Sequence, residues 1–222
     1  NAELELVKLD INIPERKIGY LMGAGDLVSD YLENIGYPVT ALNANEINLE
    51  ELNKYDVIIT GVRFFNVEER APYITPLLLE FVNQGGNLIV QYNTSYRLKT
   101  DNFSPFPLKI SRDRVTEENA KVKFLKPNHK VLNRPNKVTK LDFENWVQER
   151  GLYFPNMWSK EYQPILSWND TEEDAKHGSL LIAKYGKGYY TYTGISFFRQ
   201  LPQGVSGAYR LLVNLISLSD EK

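Results

Sequence analysis

Residues 56–62 read Asp56-Val57-Ile58-Ile59-Thr60-Gly61-Val62, and residues 87–92 read Asn87-Leu88-Ile89-Val90-Gln91-Tyr92, with Gly85-Gly86 directly before the second run. Both runs are apolar with almost no alternation. A strand buried on one face alternates apolar and polar side chains, whereas an uninterrupted run marks a strand covered on both faces, as in a parallel sheet between helical layers. Between the two runs, Leu77, Leu78, Phe81 and Val82 fall at helical spacing within residues 73–84. The double glycine supplies the positive φ at which such a helix ends.

Working outward, residues 17–22 form a short apolar run that ends in Gly23-Ala24-Gly25-Asp26. Leu27, Val28, Tyr31, Leu32 and Ile35 then follow at helical spacing up to Gly36, with Asp26 or Ser29 as the candidate cap. Residues 39–42 make a further short strand, and Leu49, Leu52 and Tyr55 a brief helical turn. Four strands alternating with helices predict an α/β fold, a flavodoxin-like three-layer sandwich with a mostly parallel sheet. Residues 93–164 are less regular and rich in proline and aromatics, which predicts a packed functional loop region or an inserted subdomain, an irregular middle excursion. Residues 179–185 and 189–195 flank Gly186-Lys187-Gly188 and predict a late β-hairpin, and residues 208–218 a closing helix. At the other end, Leu4, Leu6, Leu9, Ile11 and Ile13 alternate imperfectly as far as Pro14. Residues 1–15 are therefore expected to be a strand or linker ahead of one domain over residues 16–222.

The 222 residues are 42% hydrophobic and 24% charged, with a formal net charge of -2. No Lys/Arg-rich block exists, which argues against nucleic acid as a partner, and no apolar run is long enough for a membrane-spanning helix. The chain has no cysteine, which excludes disulfides, thiolate metal sites and a cysteine nucleophile. Its two histidines, His129 and His177, are too few for a His-rich zinc site, and no metal or cofactor is expected. The sequence begins at Asn1 without a signal-like segment, as in a cut or processed chain, and a periplasmic or secreted setting is slightly favoured over a cytoplasmic one.

Three stretches resemble a known family. DVIITGVRFFN (56–66), NQGGNLIVQYN (83–93) and YGKGYYTYTGISFF (185–198) resemble class I glutamine amidotransferase-like domains, especially the ThuA-like branch. PNHKVLNRPNKVTKLDFENWVQERGLYF (127–154) and GISFFRQLPQGVSGAYRLLVNLISL (194–218) are similar to the C-terminal domain attached to certain bacterial PIG-L (LmbE-like) sugar deacetylases. The resemblance spans residues 16–218 and implies a saccharide ligand and an upstream deacetylase domain on the same chain. The amidotransferases carry a cysteine at the sharp turn after the strand that here is residues 87–92. Tyr92 or Asn93 holds that place, and neither replaces a thiolate. The family's His–acid pair should follow the late strand, where Ser196, Phe197, Phe198 and Arg199 stand instead. Both halves of the catalytic pair are missing, so no catalytic residue is assigned and glutamine hydrolysis is excluded. The His-Pro-Asp-Asp zinc motif of the deacetylases is absent as well.

Ligands of open α/β sheets bind beyond the carboxyl ends of the strands. The candidates there are Gly25 and Asp26 in the first turn, Arg63 and Asn66 after the third strand, Tyr92 and Asn93 after the fourth, and Ser196, Arg199 and Gln200 after the late one. Each has a structural alternative: a tight turn for Gly25 and Asp26, an ion pair for Arg63, a helix cap for the Asn93 region. Arg112, in the alternating run Ser111-Arg112-Asp113-Arg114, belongs either to a pocket or to a bracing ion-pair network, with the network favoured. Trp146, Glu149 and Arg150, with Tyr153 nearby, would share one face if helical and would suit a sugar; the alternative is a core plug. A second functional reading is a sugar-modifying enzyme acting through Asp26 and Glu149, and a third is a pure interaction module. His129 is expected in a turn and His177 in an exposed loop.

Overall fold

Alternate residues of each central strand go to opposite faces of one sheet. Ile18, Tyr20, Ile59, Ile89, Leu180 and Ile182 enter one apolar cluster, while Leu21, Ile58, Leu88, Val90, Leu181 and Ala183 enter the other. The computed structural model describes residues 8–219. The strands are β1 (Ile18–Leu21), β2 (Val39–Ala41), β3 (Val57–Thr60), β4 (Asn87–Gln91), β5 (Leu108–Val115), β6 (Lys123–Phe124), β7 (Gly151–Trp158), β8 (Gln163–Pro164), β9 (Leu166–Ser167), β10 (Leu180–Tyr185) and β11 (Gly188–Thr193). The helices are α1 (Val28–Asn34), α2 (Leu49–Leu52), α3 (Phe64–Val67), α4 (Ala71–Asn83), α5 (Phe197–Gln200) and α6 (Ser206–Ile216). The main sheet has seven strands in the order β2-β1-β3-β4-β11-β10-β8, parallel from β2 to β11 and antiparallel beyond. Helices α1 and α6 cover one face and α2 and α4 the other, giving the expected flavodoxin-like three-layer sandwich. Among the described residues no helix is long and apolar enough to cross a membrane.

Two close approaches fix the sheet locally. A Cβ on Gly61 would lie 2.7 Å from the Gly23 amide nitrogen, so the turns after β1 and β3 pack backbone to backbone and the apolar run of residues 56–62 leaves the sheet at Gly61. Gly85 ends the connection from α4 at φ 120°, as the double glycine predicts. The late hairpin also forms, with Tyr185 opposite Gly188 across the turn Gly186-Lys187.

The middle excursion belongs to this same body. β5 and β7 pair as an antiparallel ribbon, and β6 pairs with β9. Val115, Val122, Phe143, Trp146, Phe154 and Trp168 are all buried in the cluster that holds α6, and Gly151 bridges to Ile195 beyond β11. With Phe103, Ile110 and Tyr162 buried in the other cluster, the excursion packs on both faces of the sheet instead of standing apart as a subdomain.

Leu4, Leu6 and Val7 of the expected N-terminal strand lie outside the described residues. Residues 8–15 form no regular element and pair with no strand. Leu9, Ile11 and Ile13 pack on the core, while Asn12 exchanges two hydrogen bonds with Asn136, at 2.7 and 2.9 Å. Arg210 Nη2 donates to the Asp10 carbonyl at 2.8 Å. This segment is docked by its apolar side chains and by hydrogen bonds with Asn136 and Arg210, with no strand pairing.

Candidate functional site

β3, β4 and β11 are adjacent and parallel, so their carboxyl ends deliver Arg63, Tyr92 and the segment from Ser196 to one edge of the sheet. Tyr92 sits in the centre and is 9% exposed. Its ring stacks on Tyr153 (centroids 6.0 Å, planes 8° apart) and meets Phe198 at a tilt (5.4 Å, 41°). Burial raises the Tyr92 phenol, and the Arg63 and Arg199 guanidiniums oppose that rise only in part, so at neutral pH it is a protonated hydrogen-bond donor. Arg199 lies over the Phe198 ring at 4.9 Å and donates from Nε to Glu149 at 2.7 Å.

The ribbon supplies the opposite wall. Three steps along β5, from Ile110 to Asp113, match one step along β7, from Pro155 to Phe154, so Ser111 and Arg112 bulge out. The Ser111 hydroxyl donates to the Phe154 carbonyl at 2.7 Å and accepts from the Asp113 amide, which fixes the bulge. Such a bulge re-aims the side chains beside it. Tyr153, on the compensating bulge of β7, has φ 53°, and Arg63 and Gln148 have φ 60° and 63°. Left-handed backbone at an aromatic or long side chain is strained and recurs at functional sites. Here three such residues surround Tyr92 and its Arg199–Glu149 pair. Tyr96, Arg112, Arg114, Glu149, Leu152 and Tyr153 together line a cavity of about 430 Å³. Two larger cavities lie elsewhere, one of about 600 Å³ between residues 101–109 and 157–159, the other of about 680 Å³ against Arg150.

The sequence candidates divide into groups that face the cavity and groups engaged by the protein itself. Arg112 and Glu149 line the cavity; Tyr92 and Arg199 adjoin it through Tyr153 and Glu149; Arg63 projects its field onto Tyr92 and Tyr153. The ion-pair network favoured for residues 111–114 does not form: among the described residues neither Arg112 nor Arg114 has a carboxylate within salt-bridge distance. Arg63 likewise lacks the ion pair weighed for it, and its Nε is buried without a partner. Of the two phenylalanines before Arg199, only Phe197 is fully buried in the core; Phe198 joins the aromatic shelf.

The other candidates brace loops. Asn93 is fully buried, accepts from the Phe65 amide at 2.8 Å and donates to the Gln91 carbonyl at 2.9 Å. Asn66 accepts from the Thr94 amide at 2.8 Å and donates to the Tyr96 carbonyl at 3.0 Å. Ser196 donates to the Glu149 carbonyl at 2.6 Å, and Gln200 exchanges two bonds with Val147. These polar side chains tie the strand ends to the loops above them and are spent on the protein's own backbone.

Gly25, at φ 104°, serves the turn. Asp26 accepts from Tyr20 Oη (2.6 Å) and the Val28 amide (3.0 Å) through one oxygen and from the Val62 amide (3.0 Å) through the other, clasping the turns after β1 and β3. Asp26→Asn would turn an amide NH2 toward one of these donors. We expect a loss of about 2–3 kcal/mol in urea denaturation; a change below about 0.5 kcal/mol would mean the clasp contributes little.

The helical reading of residues 146–150 fails. Asn145 (φ 59°) and Gln148 (φ 63°) break the segment, sending Glu149 toward Arg199 and Arg150 inward. Arg150 is 2% exposed and donates to the carbonyls of Phe143 and Ala120, with its guanidinium over the rings of Trp146 (5.3 Å) and Trp168 (5.8 Å). Trp146, also 2% exposed, stacks on Phe143 and donates to the Asp142 carbonyl. Trp146 and Arg150 are thus packed as the core plug, beside the cavity of about 680 Å³. His129 caps a short turn through Nδ1, and His177 lies in a loop. Tyr96 and Phe198 are cavity and shelf residues that the sequence reading missed; each stands in a loop or short turn with no periodic signal.

The class defined by this sheet order and these layers is the flavodoxin-like three-layer α/β fold. No family model and no curated protein sequence matches the chain. Among solved structures it is similar to a ThuA-like protein from Bacteroides uniformis (13% identity, TM-score 0.57, covering 96% of this chain and 93% of that one). It is also similar to a protein described as part of a GMP synthase from Thermoplasma acidophilum (9%, 0.56, covering 93% and 96%). A cold-adapted β-galactosidase from Rahnella sp. R3 contains the same fold (15%, 0.57), with 92% of this chain matching 32% of the enzyme. At these identities the shared property is the fold.

Proposed function

We propose that this chain is a non-catalytic amidotransferase-like domain that binds a saccharide at the carboxyl end of its sheet, as part of a carbohydrate-active protein of the PIG-L deacetylase type. The observation that supports the reading is the aromatic shelf at the strand ends, where Tyr92 stacks on Tyr153 and meets Phe198 at a tilt beside a polar cavity. Tyr153 belongs both to that stack and to the cavity wall, so its ring can cover the apolar C–H face of a sugar while Glu149 and the arginines hold hydroxyls. The deacetylase context rests on the phrases at residues 127–154 and 194–218, in a domain taken to run over residues 16–222. The β-galactosidase similarity supports this fold's use as one part of a larger carbohydrate-active chain. The carboxylate-enzyme reading is disfavoured, because Asp26 is engaged by three donors and does not line the cavity that Glu149 lines.

Titration calorimetry with N-acetylglucosamine and related monosaccharides tests the proposal. Saturable binding should weaken at least about tenfold in Tyr153→Ala, the scale of a lost ring contact together with its ordering of the wall. Heat that is unchanged in this variant would place the ligand elsewhere. No heat with any saccharide would leave only the bracing of a partner domain.

A further inference from the structure

We infer that the ligand of this cavity is an acidic hexose, one bearing a carboxylate or a phosphate ester, and not a neutral sugar. The inference rests on the saccharide reading above and narrows it. Around the cavity, the one carboxylate in its wall is Glu149, which Arg199 already neutralises at 2.7 Å. Arg114 lies in the field of Asp170, whose oxygens accept from the amides of Thr116 and Glu117. Arg63 and Arg112 remain without a counter-ion within 4.0 Å among the described residues.

Arg112, on the β5 bulge, lines the cavity; Arg63, after β3, does not line it, and its field reaches the wall residue Tyr153. Arg63 keeps a buried Nε with no hydrogen-bond partner. A guanidinium fork in a partly enclosed cleft interacts with an anion more strongly than in bulk water, because the local dielectric is lower. Hydroxyls of a neutral sugar would satisfy hydrogen-bond geometry but leave the charge uncompensated. A carboxylate or phosphate presents two oxygens to the planar fork and supplies the missing charge. The cavity volume of about 430 Å³ lies in the range of small-molecule sites. The Tyr153 ring then orients the sugar, with the anionic group toward Arg112 and the field of Arg63 adding to the attraction.

Calorimetry in low-salt buffer with glucose, N-acetylglucosamine, glucuronate and glucose 6-phosphate separates the outcomes. At least one acidic sugar should bind tenfold or more tightly than glucose, and that advantage should shrink when ionic strength is raised from about 0.02 to 0.5 M. Glucuronate against glucose 6-phosphate decides which anion the fork takes. Arg112→Gln, at an exposed position where the fold is not at stake, should lower the acidic sugar's affinity about tenfold, and an unchanged affinity would overturn the inference. Glucose or N-acetylglucosamine binding as tightly as both acids would overturn the charge inference while the saccharide reading stands. No binding of any of the four would overturn both.

Discussion

Arg150→Ala should destabilise the fold by about 3 kcal/mol, a large fraction of the stability of an ordinary domain. The guanidinium is the junction of three segments: it donates to the carbonyls of Ala120 and Phe143, and its own backbone nitrogen donates to the Val115 carbonyl at 2.9 Å. Truncation leaves two buried carbonyls without donors, at about 1–3 kcal/mol each, and opens a gap between Trp146 and Trp168. An opposing effect reduces the loss. Burial pulls the Arg150 guanidinium down to about 10, with only the more distant Glu118 supporting its charge, so its removal also relieves a desolvation cost. Arg150→Met discriminates between these contributions. Methionine fills the slot between the rings but donates nothing, so its loss measures the carbonyls less the desolvation relief, about 1–2 kcal/mol on the same scale. The expected order of stability in denaturant titration is wild type, then Arg150→Met, then Arg150→Ala. Were the alanine variant as stable as the wild type, Arg150 would not be the staple of the middle region.

The contrast between Arg150 and its neighbour Glu149 shows where the sequence was legible. Uninterrupted apolar runs carry their own reason for lying in a two-faced parallel sheet, and Gly85 carries its own reason for ending the connection from α4; both are local, and both read correctly. The helical face proposed for Trp146, Glu149 and Arg150 assumed regular backbone, and Asn145 and Gln148 at positive φ send successive side chains to opposite sides. That reversal is imposed by the pairing of β7 with β5, some 40 residues earlier in the chain, and no local pattern encodes the register. The polar residues at the strand ends pose the same problem. Asn66 and Asn93 do stand beyond β3 and β4, yet whether such a side chain faces a ligand or a neighbouring loop depends on distances that only the packed structure sets. Arg63 and Arg112 differ from them in having no acid within salt-bridge distance among the described residues, which is visible only after every nearby acid has been located.

Raising the pH should leave stability nearly constant up to about 10 and then abolish it steeply between about 10 and 12, through the buried tyrosines. Tyr37, Tyr162 and Tyr209 are each raised to about 12, chiefly by desolvation, and burial lifts Tyr20, Tyr190 and Tyr192 as well. An unfolded tyrosine loses its proton near 10, so from that pH upward the unfolded chain binds fewer protons than the folded one. Stability therefore falls with rising pH, by about 1.4 kcal/mol per pH unit for each phenol that stays protonated only in the fold. Below 10 both states keep these protons and the contribution is flat. Arg150 has the opposite sign: its folded value lies below the unfolded one, so above about 10 it loses its proton first in the fold and stability gains from it. One arginine against six tyrosines leaves a slope of several kcal/mol per unit, enough to exhaust the whole stability of a domain within about two units. Tyrosinate absorbance near 295 nm checks this directly, since the chain has 14 tyrosines. A cooperative rise in that absorbance should coincide with the loss of far-ultraviolet dichroism. A single smooth titration of all the tyrosines with the dichroism intact would mean that Tyr190 and Tyr192 can ionise inside the fold, which their complete enclosure in the core forbids.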